Sequence, residues 1–97
     1  MIRVSSFGAD PCHLLVDVES SVLYSSNYSS GSLSATALMD DGQLGGSLAV
    51  IDFNSSSPTA SPPSHIHEAT LAVRNTLIIN DLGTVTIYSI ATSHVMS

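Results

Sequence analysis

The chain has no lysine and no tryptophan, one cysteine and only two cations, Arg3 and Arg74, among 97 residues. Each shortage removes a class of function. Phosphate backbones are held by clustered Lys and Arg that release counterions, so two scattered arginines against a net charge of −6 leave no basic face for nucleic acid or an anionic membrane surface. A lone Cys12 excludes an intramolecular disulfide and a cysteine-based zinc site. Without tryptophan, stacking platforms for sugars reduce to Tyr24, Tyr28, Tyr88, Phe7 and Phe53. No apolar run reaches the roughly 18 residues of a spanning helix, and residues 1–10 lack the basic flank, apolar core and small-residue cleavage site of a signal peptide. The reading is a soluble chain without membrane or nucleic-acid partners.

Charge as a whole is scarce. Charged residues make up 10% of the chain, against roughly 25% in an average soluble domain. Hydroxyl residues, 19 Ser and 7 Thr, fill the space. Leu, Ile, Val and Phe still contribute 27 residues in patterned runs, which separates the chain from disordered polymers and predicts a folded single domain over 1–97.

Period-two alternation recurs and helical periodicity does not, so the expected class is all-β, a small antiparallel sandwich or barrel built from hairpins. Strands are expected at 2–7, 13–18, 33–39, 44–53, 65–80 and 84–91. Two Ser/Pro-rich stretches, 25–32 and 54–64, are expected as loops or extended arms, the second because its three prolines cannot donate to a ladder.

Asp41-Gly42 suits a two-residue hairpin loop with positive φ at both positions. That placement opposes Ala35 to Leu48 and Leu33 to Val50 on one face and Thr36 to Ser47 on the other. Asn80-Asp81-Leu82-Gly83 predicts a second hairpin, with a three-residue loop that sets Val85 opposite Ile79 and Ile87 opposite Leu77. Residues 65–80 read as one long, bent strand, with a break at Arg74-Asn75 as the alternative.

The candidate chemistry centres on histidine. His65 and His67, two apart on a strand, would project to one face and could chelate one ion. Glu68 falls on the opposite face, and His94 is set near Thr70, leaving His13 as the free third ligand. In that spacing the pair resembles the cupin metal motif, which would imply a metal centre, but Leu71 and Ala72 stand where that family places its glutamate. Met39-Asp40-Asp41-Gly42 is similar to the Asp-Thr/Ser-Gly turn of retroviral aspartic proteases, with Asp41 replacing the bracing hydroxyl residue. No Gly-x-Ser-x-Gly elbow supports a serine nucleophile, and no cofactor is expected.

Charge depletion with hydroxyl-rich outer faces is the composition of a covered surface, because a hydroxyl that finds a partner costs less to desolvate than a charge. The sequence therefore predicts a non-enzymatic structural or assembly protein that packs against copies of itself and a larger protein lattice. Its concrete form is a capsid decoration (cement) or other virion structural protein that would bind a major capsid protein. The alternative is a small β binding module that uses the His65/His67 edge for a metal or ligand.

Overall fold

A computed structural model of the chain describes every residue except 55–58, 60 and 97. It is all-β, with two antiparallel sheets. The first is a four-stranded meander of β1 (Pro11–Asp17), β2 (Val22–Asn27), β3 (Ser32–Leu38) and β4 (Leu44–Asp52). The second is a three-stranded meander of β5 (Ile66–Ala72), β6 (Thr76–Asp81) and β7 (Thr86–Ala91), followed by the single-turn helix α1 (Thr92–Val95). The sheets stay separate and pack face to face, a sandwich-like pair rather than a barrel.

Alternation along each strand explains the packing. In the first sheet Leu15, Tyr24, Ala35 and Ala49 form one row across the four strands, with Leu33 and Ile51 in a neighbouring row. In the second, Ala69, Ile79 and Tyr88 form one row and Leu71, Leu77 and Ile90 the next. Tyr24, Leu33, Ala35, Ile66, Ala69, Leu77 and Ile79 are buried between the sheets, α1 adds Val95, and the Phe53 ring packs on Tyr88 with centroids 4.8 Å apart. Each large side chain buried here stabilises the sandwich by roughly 1.5–3 kcal/mol relative to leaving it in water.

Several expectations are corrected. Residues 25–32 are half strand and half turn rather than one loop. Ser25, Ser26 and Asn27 end β2, Ser32 begins β3, and the connection is a short turn through Gly31, whose φ is +63°. Serine is tolerated in these central strands where its hydroxyl finds a partner, as those of Ser25, Ser32 and Ser34 do. Asn27 Nδ2 donates to Ser34 Oγ at 2.9 Å and to Ser32 Oγ at 3.1 Å, and Ser25 Oγ donates to Asn27 Oδ1 at 3.2 Å. The expected strand at 2–7 is absent. Residues 1–9 lie outside both sheets, and the Ser6 carbonyl accepts from Asn27 Nδ2 and Ser34 Oγ, so this segment partly covers the hydroxyl face of the first sheet. Five residues of the expected 54–64 arm, 55–58 and 60, lie outside the described residues. At its ends, Asn54 Nδ2 donates to the Ser64 carbonyl at 3.2 Å and Ser64 N donates to Asn54 Oδ1 at 2.9 Å.

Both predicted hairpins exist with altered registers. The first closes through Asp40-Asp41-Gly42, with Met39 N donating to the Gln43 carbonyl at 2.8 Å and only Gly42 at positive φ (+84°). The two-residue type would need positive φ at Asp41 as well. Two register shifts then move Val50 opposite Ser34 and Ile51 opposite Leu33, and only the Thr36–Ser47 pairing survives as expected. In the second hairpin Ile79 faces Tyr88 and Leu77 faces Ile90, so Ile87 belongs to the outer face. The loop is longer because Asp81 ends β6 instead of entering the turn. Its carboxylate accepts from Gly83 N and Thr84 N at 3.1 and 3.2 Å. Residues 65–80 break into β5 and β6 at Arg74 and Asn75, both at positive φ.

Candidate functional site

The two sheets meet where β1 runs beside β5, and the chemistry-bearing residues gather along this seam. Cys12 on β1 donates its thiol to the His67 carbonyl at 3.2 Å. The next residue, His13, brings Nε2 to 3.9 Å from Glu68 Oε2 across the same seam, with the two side chains 35% and 44% exposed. At this separation the pair is beyond direct hydrogen-bond reach, and a proton can pass between imidazole and carboxylate only through a bridging water or on closer approach.

At the end of the seam Tyr28 is the hub. His65 stacks on its ring with centroids 4.5 Å apart and an interplanar angle of 14°, and His67 approaches the same ring edge-on at 6.4 Å. His65 Nδ1 lies 2.8 Å from the Tyr28 carbonyl. A carbonyl can only accept, so Nδ1 carries a proton. The structure thus brings His65 and His67 together around an aromatic ring. Glu68, expected to stand apart from the histidines, meets His13, the residue expected as their third ligand. A register shift between Ile66 and Glu68 undoes the simple alternation on which those face assignments rested. Among the described residues no group of three or more His, Cys, Asp or Glu side chains is placed to hold a metal ion. His94 lies in α1, and the ladder row of Thr70 is completed by Ile78 and Ser89.

Asp81 was not foreseen as a site of strong polar bonding. It is buried, accepts from His65 N at 2.8 Å and receives the Tyr88 hydroxyl at 3.3 Å, so one carboxylate ties the start of β5 to the β6–β7 loop. Burial pushes its pKa up. The hydrogen bonds from the Ser64 side chain, His65 N and Thr84 outweigh burial and hold it at about 2. Gly83 fits beside it because a Cβ there would stand 2.1 Å from the Pro63 carbonyl. The sequence signal for this arrangement was the Asn-Asp-Leu-Gly cluster, read as a tip when it is a brace.

A second unforeseen feature is a set of orphaned polar atoms on the sheet-facing side of β1 and β2. His13 Nδ1, Asp17 Oδ2, Tyr24 Oη and Ser26 Oγ are buried without a hydrogen-bond partner among the described residues. Burial, and secondarily the Asp17 carboxylate, push the Tyr24 phenol pKa up, so it remains a neutral donor. Tyr24 also walls a cavity of about 420 Å³ with Val22, Leu48, Thr92 and Met96.

Beyond the seam, both outer sheet faces carry uncovered apolar side chains. Leu14, Val16 and Val50 project from the first sheet, and Ile87, Val85 and Leu82 lie on and beside the second. A family model described as Lactonase, 7-bladed beta-propeller, matches residues 1–95. No curated protein and no solved structure gives a match.

Proposed function

The chain belongs to the lactonase family of seven-bladed β-propellers, and from that premise we propose that it serves as two adjacent blades, whose outer faces are completed by further blades. A propeller blade is a four-stranded antiparallel meander, stacked face to face on its neighbours around a channel. The first sheet has that form, and the second has three of its four strands. The observation that carries the reading is the uncovered apolar surface on both outer faces, with Ile87 75% and Leu14 59% exposed while the inner faces are closed against each other. Blades are repeats that bury their faces only by stacking. The role is one of assembly through protein–protein contact, which is what the shortage of surface charge called for. The same contacts would serve a virion lattice if the neighbours were capsid subunits.

Light scattering on the purified chain tests this. Self-associated particles at micromolar concentration are expected, and Ile87→Glu, which places a charge on an outer face, should shift them toward the monomer. A wild-type chain that remains a monomer at millimolar concentration overturns the reading.

The His13–Glu68 pair favours a second reading, that the seam contributes to lactone hydrolysis. A lactone is a cyclic ester, and opening it with water needs a base to take the proton of the attacking water. This imidazole–carboxylate pair lies on β1 and β5, where the two blades adjoin. Hydrolysis of δ-valerolactone, followed at constant pH, should then fall at least a hundredfold in Glu68→Gln and His13→Ala at unchanged particle mass. Equal rates in all three proteins, or no rate above buffer, contradict it.

A further inference from the structure

Two of the four buried, unpartnered atoms on β1 and β2 belong to residues that face each other. His13 and Ser26 are partners across the β1–β2 ladder, and His13 Nδ1 and Ser26 Oγ are both orphaned. Directly opposed residues of an antiparallel pair share one face and set their Cβ atoms about 4.5–5.5 Å apart, so the two polar ends are held near each other. The other two orphans lack this relation, since Asp17 opposes Val22 and Tyr24 opposes Leu15.

The His13 ring has one dry edge and one wet edge. Nδ1 is buried, while the side chain as a whole is 35% exposed and Nε2 lies 3.9 Å from Glu68 Oε2. Ser26, 1% exposed, is cut off from bulk solvent. Burying a hydroxyl and a ring nitrogen without partners costs the desolvation of both, and folded proteins commonly meet that cost with an internal water bonded to each. The two atoms also complement each other across a water. The Glu68 carboxylate draws the ring proton to Nε2, which leaves Nδ1 of the neutral ring as an acceptor. Ser26 supplies the donor. One water can accept the Ser26 hydroxyl hydrogen and donate its own to Nδ1.

We infer that one water is held between Ser26 Oγ and His13 Nδ1, and that through it Ser26 fixes the His13 ring with Nε2 turned to Glu68. A half-turn of the ring about Cβ–Cγ would carry carbon atoms to both places and lose the bond to the water. The water therefore selects one orientation and one tautomer, as a hydrogen bond at one imidazole nitrogen does for the other. Ser26 is a positioning residue, acting on His13 from the buried side. Only the use of this arrangement rests on the second reading of the seam: an imidazole already turned to the carboxylate when a lactone arrives.

Two measurements on the full chain decide it. A crystal structure at a resolution that orders water should show one within about 2.7–3.2 Å of both Ser26 Oγ and His13 Nδ1. A direct bond between the two side chains, or a site that holds no water, overturns the inference. The second measurement follows the imidazole nitrogens of isotope-labelled histidine by NMR at about pH 8.5, two units above the ordinary histidine value. The wild-type chain should show a protonated Nε2 and a hydrogen-bonded, unprotonated Nδ1 at His13. Ser26→Ala should move that Nδ1 resonance toward the position of a bare lone pair. His65 Nδ1, protonated against the Tyr28 carbonyl, should stay where it is. An Nδ1-protonated His13, a resonance indifferent to Ser26→Ala, or movement of both histidines together contradicts the inference. Hydrolysis is judged apart from it. A chain that opens no lactone yet gives both results refutes the hydrolysis reading and leaves the water in place, and a chain that turns over without them does the reverse.

Discussion

At the scale of single residues, Asp81 ties the second sheet together. Its carboxylate satisfies His65 N, Gly83 N and Thr84 N together, three donors on two different segments. Because the folded pKa of about 2 lies below the ordinary aspartate value near 3.9, the ionised form contributes stability that is complete above about pH 4 and is lost as pH falls toward 2. The size of this contribution is about 2 kcal/mol. Asp81→Asn should therefore cost about that much in urea denaturation at pH 7, and the gap between the two proteins should shrink at pH 2. An equal gap at both pH values would mean that shape, not charge, holds the loop. Asn27 plays the matching role in the first sheet, where its amide joins the hydroxyls of Ser25, Ser32 and Ser34. A Ser-Ser-Asn run between strands reads as a loop because these residues compete for backbone hydrogen bonds in isolation. Only the pairing of the Asn27 amide with hydroxyls on its own and the neighbouring strand reverses that preference, and no local pattern shows it.

At the scale of elements, strand identity was largely legible and register was not. β1, β3, β4 and β7 fall where alternation placed them, within two residues of the expected bounds. Register failed where the ladder shifts, between Ala35 and Thr36, between Thr36 and Leu38, and across the longer loop after Asp81. A displacement by one residue exchanges the faces of a strand, which is how Val50 and Ile87 moved from core to surface. The break between β5 and β6 had its signal in Arg74-Asn75, outweighed by the continuous alternation on either side. An arginine at φ +58° carries a steric cost of about 1–2 kcal/mol that glycine escapes, partly offset by the greater freedom of glycine in the unfolded chain. Arg74→Gly should raise stability by about 0.5–1 kcal/mol in chemical denaturation. A loss of stability would show that the turn is held open by its flanking strands rather than strained.

At the scale of the molecule, the shortage of charge has a spatial meaning. The hydroxyl face of the first sheet is partly covered by the chain's own residues up to Gly8, and the apolar residues of both outer faces stand uncovered. The candidate site was half legible. His13, His65, His67 and Glu68 all lie on the seam, but their grouping depends on which strands adjoin, and adjacency between β1 and β5 is set by the stacking of two sheets rather than by spacing along the chain. The three histidines accordingly divide between a carboxylate and an aromatic ring. Among the described residues, the second sheet's free edge and the two outer faces remain unpaired, and the proposed role would demand neighbours for them.

Small-angle X-ray scattering over a concentration series measures that demand most directly, since the isolated chain has a Cα radius of gyration of 13.0 Å. The blade-pair account predicts a radius that rises well above this value with concentration and then reaches a plateau as the outer faces are filled. A radius that stays near 13.0 Å from the micromolar to the millimolar range contradicts it.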